Sequence, residues 1–306
     1  MTTRAYWGVV LGVALLILVG GQLTHGQANL ERELVVVTTG GAFEKALKEN
    51  FYDAFSKATG VVVRPVSATV AEAWAKARAM YDAGSVEWDI LSASPADLIA
   101  RRDILLRLDC RAIPNAATLG IPGTCQEHGL LRTIGADMIA YNTQKFPTGR
   151  HPHTWAEFWD VQKFPGPRSM PTAGNAWEPL AAALLADGVP SDKLFPMDLD
   201  RAFRKMDQIK PHVRVWWRTG DQSQQIIRDG EVVLAMMWSG RAFSLKNAGV
   251  PVGVEWNQGI ENIAYWAVLR AAPHPKAVYA FLNFFMTRPE AHRAFSREIV
   301  AALAAV

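Results

Sequence analysis

The 306 residues carry 32 Lys+Arg against 29 Asp+Glu, a formal charge of +3, which makes nucleic acid and anionic membrane surfaces poor partners. Half of the residues are hydrophobic and the chain is too long for a single small core, so two lobes of roughly 100–150 residues are expected.

Residues 1–28 read as a cleaved secretory signal: Arg4 is the one strong charge, Trp7 to Val19 is apolar, and Gly and polar residues follow. Gly26-Gln-Ala28 offers small residues where a signal peptidase reads, which places cleavage after Ala28 and makes Asn29 the first mature residue. An uncleaved anchor is the alternative, but the run is shorter than the ~20 residues of a span. Losing one Arg leaves a mature charge near +2. The mature protein is expected to be soluble and periplasmic.

Leu34 to Val37 is a short Val-rich strand, Thr38-Thr-Gly-Gly41 a turn, and Phe43, Ala46, Leu47, Phe51, Ala54 and Phe55 recur at helical spacing. Thr59-Gly60 ends that helix, and Val61 to Val66 is the next strand. Thr69 caps a helix carrying Val70, Ala73, Trp74, Ala77 and Met80, and Asp89 to Leu91 is a third strand. Such alternation indicates parallel βαβ units, whose ligands sit beyond the carboxyl ends of the strands. The loops 38–42 and 92–96 fall there. Cys110 and Cys125 are the only cysteines, and in an oxidising compartment they are expected to pair. A metal site would need further Cys or His, and only His128 is close in sequence.

Leu130 to Tyr141 reads as an extended crossover and 142–150 as a polar loop. Beyond it come helices at Trp155–Trp159, Trp177–Ala186, Leu199–Ile209 and Gln222–Arg228, strands at Val213–Trp217 and Val232–Met237, and a Pro-rich stretch from Phe164 to Pro171. Ile263 to Leu269 suits a second crossover and Lys276 to Phe285 a helix. The expected division is signal 1–28, first lobe 29–139, second lobe 140–263, and a return to the first lobe over 264–306.

Four stretches carry a resemblance to the extracellular solute-binding proteins of ABC importers, nearest the spermidine/putrescine-binding branch. They are Trp155-Ala-Glu-Phe-Trp-Asp160 with Lys163-Phe-Pro-Gly166; Leu184-Leu-Ala-Asp-Gly-Val189; Gly230 to Arg241; and Tyr265-Trp266 with Phe281-Leu-Asn-Phe284 and Arg288-Pro-Glu-Ala291. The resemblance implies a two-lobed periplasmic-binding-protein fold of type II, with mixed sheets flanked by helices and the solute in a cleft between lobes. It also implies delivery to a permease at the inner membrane, no enzymatic activity and no cofactor; a monomer is expected. Trp238 matches a ligand-stacking tryptophan and Glu178 an ammonium-binding carboxylate. Asn175 stands where a second acid belongs, Asn262 and Ala264 where an aromatic or acid and then an acid belong, and Thr39 and Ala96 where polyamine binders present aromatics. The solute is therefore a polyamine-like amine or another organic solute: an amino-acid derivative, an opine or a sugar acid. Relatives continue past Ile299–Val306, so the chain is read as ending short.

Residue by residue, Thr38, Thr39 and Gly40 can offer hydroxyls and N–H groups to a ligand or form an ordinary turn. Ser92 and Ser94 have the same choice, with Ser94 also suited to capping a helix at Pro95. Trp238 stacks on ligand or packs in the core. Trp216 and Trp217 must point to opposite faces. Arg218 and Asp221 bind a charged ligand or each other. Glu178 suits a helix start with or without ligand. Asn262 is the preferred polar contact near the second crossover. Pro152 between His151 and His153 makes chelation awkward, so no metal site is expected. Iron-binding relatives would show paired tyrosines late in the chain, where only Tyr265 and Tyr279 occur.

Overall fold

The computed structural model describes residues 30–147, 149–172, 177–299 and 302–303. The expected signal 1–28, its cleavage point at Asn29, Asn175 and the terminal residues 300, 301 and 304–306 lie outside that description. Glu31–Val306 form one compact unit. Among the described residues no helix is long and apolar enough to cross a membrane.

The strands are β1 (Glu33–Thr38), β2 (Val62–Ser67), β3 (Ile90–Ala93), β4 (Cys125–Gln126), β5 (Gly129–Asn142), β6 (Arg168–Pro171), β7 (Val213–Trp217), β8 (Leu234–Trp238), β9 (Val252–Val268) and β10 (Ala302–Leu303). They build one mixed sheet in the order β2-β1-β3-β9-β5-β8-β6-β7, with β4 and β10 both paired to β5. Pairing is parallel at each end, β2-β1-β3 and β8-β6-β7. The two long strands β5 and β9 run antiparallel to each other and to their outer neighbours β8 and β3. Helices between parallel strands cover the sheet, which is the mixed α/β class expected.

The alternation of side chains along the central strands builds cores on both faces. On β5, Ile139 and Tyr141 join one buried cluster while Met138 and Ala140 join another; on β8, Leu234 and Met236 face the first and Ala235 and Met237 the second. A further core holds Val35, Val37, Trp74, Leu91 and Ala267 at the other end of the sheet. Thr69 caps Val70–Asp82 through a full capping box with Glu72, as its sequence position predicts. Cys110 and Cys125 are joined by a disulfide that closes a 15-residue separation.

The Pro-rich stretch contains β6, because its prolines flank the strand or end it and so remove no ladder hydrogen bond. The second crossover begins already at Val252, since polar Glu255 to Glu261 hid a strand whose pairing with β5 is supplied across the fold. Ser239–Asn247 is a helix, although its small and polar residues carry little apolar periodicity.

Candidate functional site

A cavity of about 740 Å³ opens where the carboxyl ends of the parallel strands meet β5 and β9. This volume suits a small organic molecule. Of the residues singled out in the sequence, Thr39, Ser92, Ser94, Glu178, Arg218, Trp238 and Asn262 line it. Thr38 and Gly40 do not. The Thr38 hydroxyl is buried and donates to Glu44 Oε2, which also accepts from Ser67, and Gly40 turns the chain at φ 73° into the helix Gly41–Leu47. The Thr38 hydroxyl is thus satisfied without a ligand. Ser94 behaves likewise: its hydroxyl donates to Asp97 Oδ2 at 2.8 Å and caps Pro95–Ala100. Trp217 is buried and also lines the cavity, whereas Trp216 packs on the opposite core, so the pair splits as strand geometry requires. Trp238 meets the edge of Trp217 at 5.0 Å, leaving it as both a wall and a packing partner.

Two buried ionisable groups of the cavity, Arg132 and Asp137, come from β5, where the sequence singled out no site residue. Asp137 on β5 is 1 % exposed, and its Oδ1 has no hydrogen-bond partner. Its Oδ2 accepts from Asn262 Nδ2 at 2.8 Å, and the same amide reaches Glu178 Oε1 at 3.4 Å. Burial, and then the Glu178 carboxylate beside it, hold the Asp137 carboxyl well above the usual range. Burial, with Asp97 nearby, pushes Glu178 up to about 7. The two acids thus form a buried pair with no ion pair to a cation among the described residues.

Arg132 is the complementary case. It is 7 % exposed, forms no ion pair among the described residues, and its Nε lacks a hydrogen-bond partner. Its guanidinium lies 4.7 Å from the Phe43 ring and 4.8 Å from the Trp266 ring. Burial pushes it down to about 10, so it stays cationic at neutral pH. The sheet explains its position: Leu131 pairs with Tyr265 and Thr133 with Ala264, so Arg132 is the extra residue of a bulge, and both Arg132 and Thr133 line the cavity. A second lining arginine, Arg241, is already neutralised, its Nη1 donating to Asp221 Oδ1 at 2.6 Å. Asp221 therefore pairs with Arg241, while Arg218 stays exposed at the rim. The signal available in the sequence was an isolated Arg and an isolated Asp inside the apolar crossover Leu130 to Tyr141.

Away from the cavity, His151 and His153 converge across Pro152, where the sequence expected chelation to be awkward. Both rings reach one carboxylate oxygen of Glu255, because residues i and i+2 of an extended segment share a face.

Residues 50–302 match the family model described as bacterial extracellular solute-binding protein. A gamma-aminobutyric acid-binding protein of Pseudomonas aeruginosa is 32% identical over 275 residues, covering 88% of this chain and 76% of that protein. The spermidine/putrescine-binding periplasmic protein of Escherichia coli is 26% identical over 141 residues, covering 45% of this chain and 38% of its own length. The crystal structure of the PBP MotA from A. tumefaciens B6 in complex with glucopine superposes with a TM-score of 0.80 at 28% identity, over 89% of this chain and 84% of that one.

Proposed function

The chain belongs to the bacterial extracellular solute-binding family and is the solute-binding component of an ABC transporter, and from that premise we propose that its solute is a small zwitterion, an amino-acid derivative or opine, with an ammonium at one end and a carboxylate at the other. The observation that carries this reading is the presence in one cavity of a buried guanidinium with no ion pair among the described residues, Arg132, and of an acid pair, Asp137–Glu178, whose carboxyls burial holds toward their protonated forms. A buried cation without a partner is costly, and a buried acid ionises readily only beside a cation, so a ligand carboxylate would pair with Arg132 and a ligand ammonium with the two acids. A zwitterion supplies both. Relatives that bind gamma-aminobutyric acid and glucopine agree with such a solute. A diamine would satisfy the acids and leave Arg132 unmatched, which argues against the polyamine half of the sequence expectation.

In this reading the first lobe comprises 29–139 and 264–306, the second comprises 140–263, and β5 and β9 are the links about which they close. Gly41 supports closure: at φ +63° it approaches Asp221 so nearly that a Cβ would collide with the carboxylate, bringing the first-lobe loop against the second-lobe helix Gly220–Arg228. The protein acts in the periplasm as a monomeric binder that turns over nothing and hands its solute to a permease. Thr39, Ser92, Trp238 and Arg218 complete the solute contacts.

Titration calorimetry with gamma-aminobutyrate, glucopine and putrescine tests this. The zwitterions should bind at least tenfold more tightly than the diamine without being consumed. Putrescine as the tightest ligand would overturn the reading.

A further inference from the structure

His151, His153 and Glu255 converge on a point outside the solute cavity, and none of the three lines it. His151 Nε2 lies 3.1 Å and His153 Nδ1 2.7 Å from the same Glu255 Oε2, and the three ligand atoms all fall within 4.8 Å of one another. We propose that these residues form a binding site for a divalent transition ion of the zinc type, with the fourth position open to water.

The donor set sets the class of ion. Two imidazoles and one carboxylate suit zinc, nickel or copper, whereas calcium and magnesium prefer an all-oxygen shell. A tetrahedral zinc with ligands at about 2.0–2.2 Å places them roughly 3.3 Å apart, so the present separations need only a small opening. One carboxylate against a dication and two neutral rings leaves a single positive charge, as in sites that retain a water.

The surroundings hold the ligands in place. His151 is 6 % exposed and stacks on Tyr141 at 3.9 Å with 8° between the rings, so it aims Nε2 at Glu255. Its Nδ1 is buried and has no hydrogen-bond partner. The second oxygen of Glu255 accepts the Asn257 N–H at 2.8 Å. Asn257 Nδ2 in turn donates to the His153 carbonyl at 2.9 Å, and the His153 N–H donates to Glu157 Oε2 at 2.7 Å. Such outer contacts fix ligand orientation in metal sites. His153 is half exposed and supplies the entry path.

Position gives the ion its consequence. Glu255 pairs with Ile139 where the β5–β9 ladder breaks, residues 256–259 leaving it, and the histidines precede the helix Trp155–Trp159. An ion would clip that loop to β9 beside the break, stabilising the protein without touching solute.

The test uses the full-length mature protein without an affinity tag, dialysed against Zn²⁺, Mg²⁺ or Ca²⁺ and assayed for bound metal. One Zn²⁺ per chain is expected, with no stoichiometric Mg²⁺ or Ca²⁺, together with a melting temperature that climbs with Zn²⁺ concentration. Co²⁺ should give the visible d–d bands of a four-coordinate ion. His153→Ala, at an exposed position, should weaken Zn²⁺ binding by about 100-fold or more, while His128→Ala changes nothing and both variants keep solute affinity. Failure to retain one Zn²⁺ per chain, or unchanged binding in both His153→Ala and Glu255→Gln, would overturn the proposal.

Discussion

The two sides of the solute cavity solve opposite problems. On one side, the carboxyl ends of β1, β2 and β3 and the turns after them are rich in Thr, Gly and Ser, and several of these hydroxyls bind nearby helix carboxylates: Thr38 and Ser67 to Glu44, Ser94 to Asp97. On the other, β5 and β9 present Arg132, Asp137 and, through Asn262, Glu178, buried ionisable groups with no ion pair among the described residues. Polar residues at a suggestive place are therefore weak indicators of a ligand when they already satisfy each other. Buried ionisable groups with no opposite charge beside them are stronger ones, since a ligand of complementary charge relieves them.

The sharpest way to break this contrast is to remove the unmatched cation. Arg132→Met should weaken a carboxylated solute by about 2–5 kcal/mol, the effect of truncating one member of a buried charge pair, and leave folding intact or improved. Thr38→Val should change affinity by less than twofold. Calorimetry on the two variants decides it; equal losses would erase the distinction.

The acid pair offers a second test, through pH. Glu178 is raised in the folded state from 4.5 to about 7, so the stability contributed by its protonated form is complete below pH 4.5 and is lost as pH rises through about 7. The solute-free protein should lose on the order of 3 kcal/mol over that window, as read by urea unfolding. Glu178→Gln should flatten the profile. Affinity for an ammonium-bearing solute should move the other way, rising with pH as the pair ionises.

Smaller effects sharpen the picture. Trp238→Ala should weaken binding by about tenfold, because an aromatic wall contributes about 0.5–1.5 kcal/mol beyond its buried area; unchanged affinity in a folded variant would assign Trp238 to packing against Trp217 alone. Ser94→Ala should cost about 1 kcal/mol in thermal stability by loss of a helix cap, with affinity unchanged. A large loss of affinity there would mean that the serine serves the ligand directly.

Much of the architecture was legible because it rests on local physics. Helical spacing from Phe43 to Phe55, the cap at Thr69 and the runs at Val213–Trp217 and Leu199–Ile209 need only neighbours in sequence. The cavity was legible in part: Glu178, Trp238 and Asn262 came from matching positions of a known family, and all three line it. Arg132 and Asp137 were not, because an apolar run with two isolated charges in it does not say which wall either charge faces.

By itself the sequence determined the alternation of strands and helices, the pairing of its only two cysteines, and the family resemblance, since periodicity, counting and motif order survive without coordinates. Tertiary structure alone decided where β5 and β9 meet, and with that the bulge that turns Arg132 inward and the break that sets Glu255 beside His151 and His153. These are contacts between residues more than a hundred positions apart. Their register depends on how two long strands pair across the whole fold, and no local propensity encodes it.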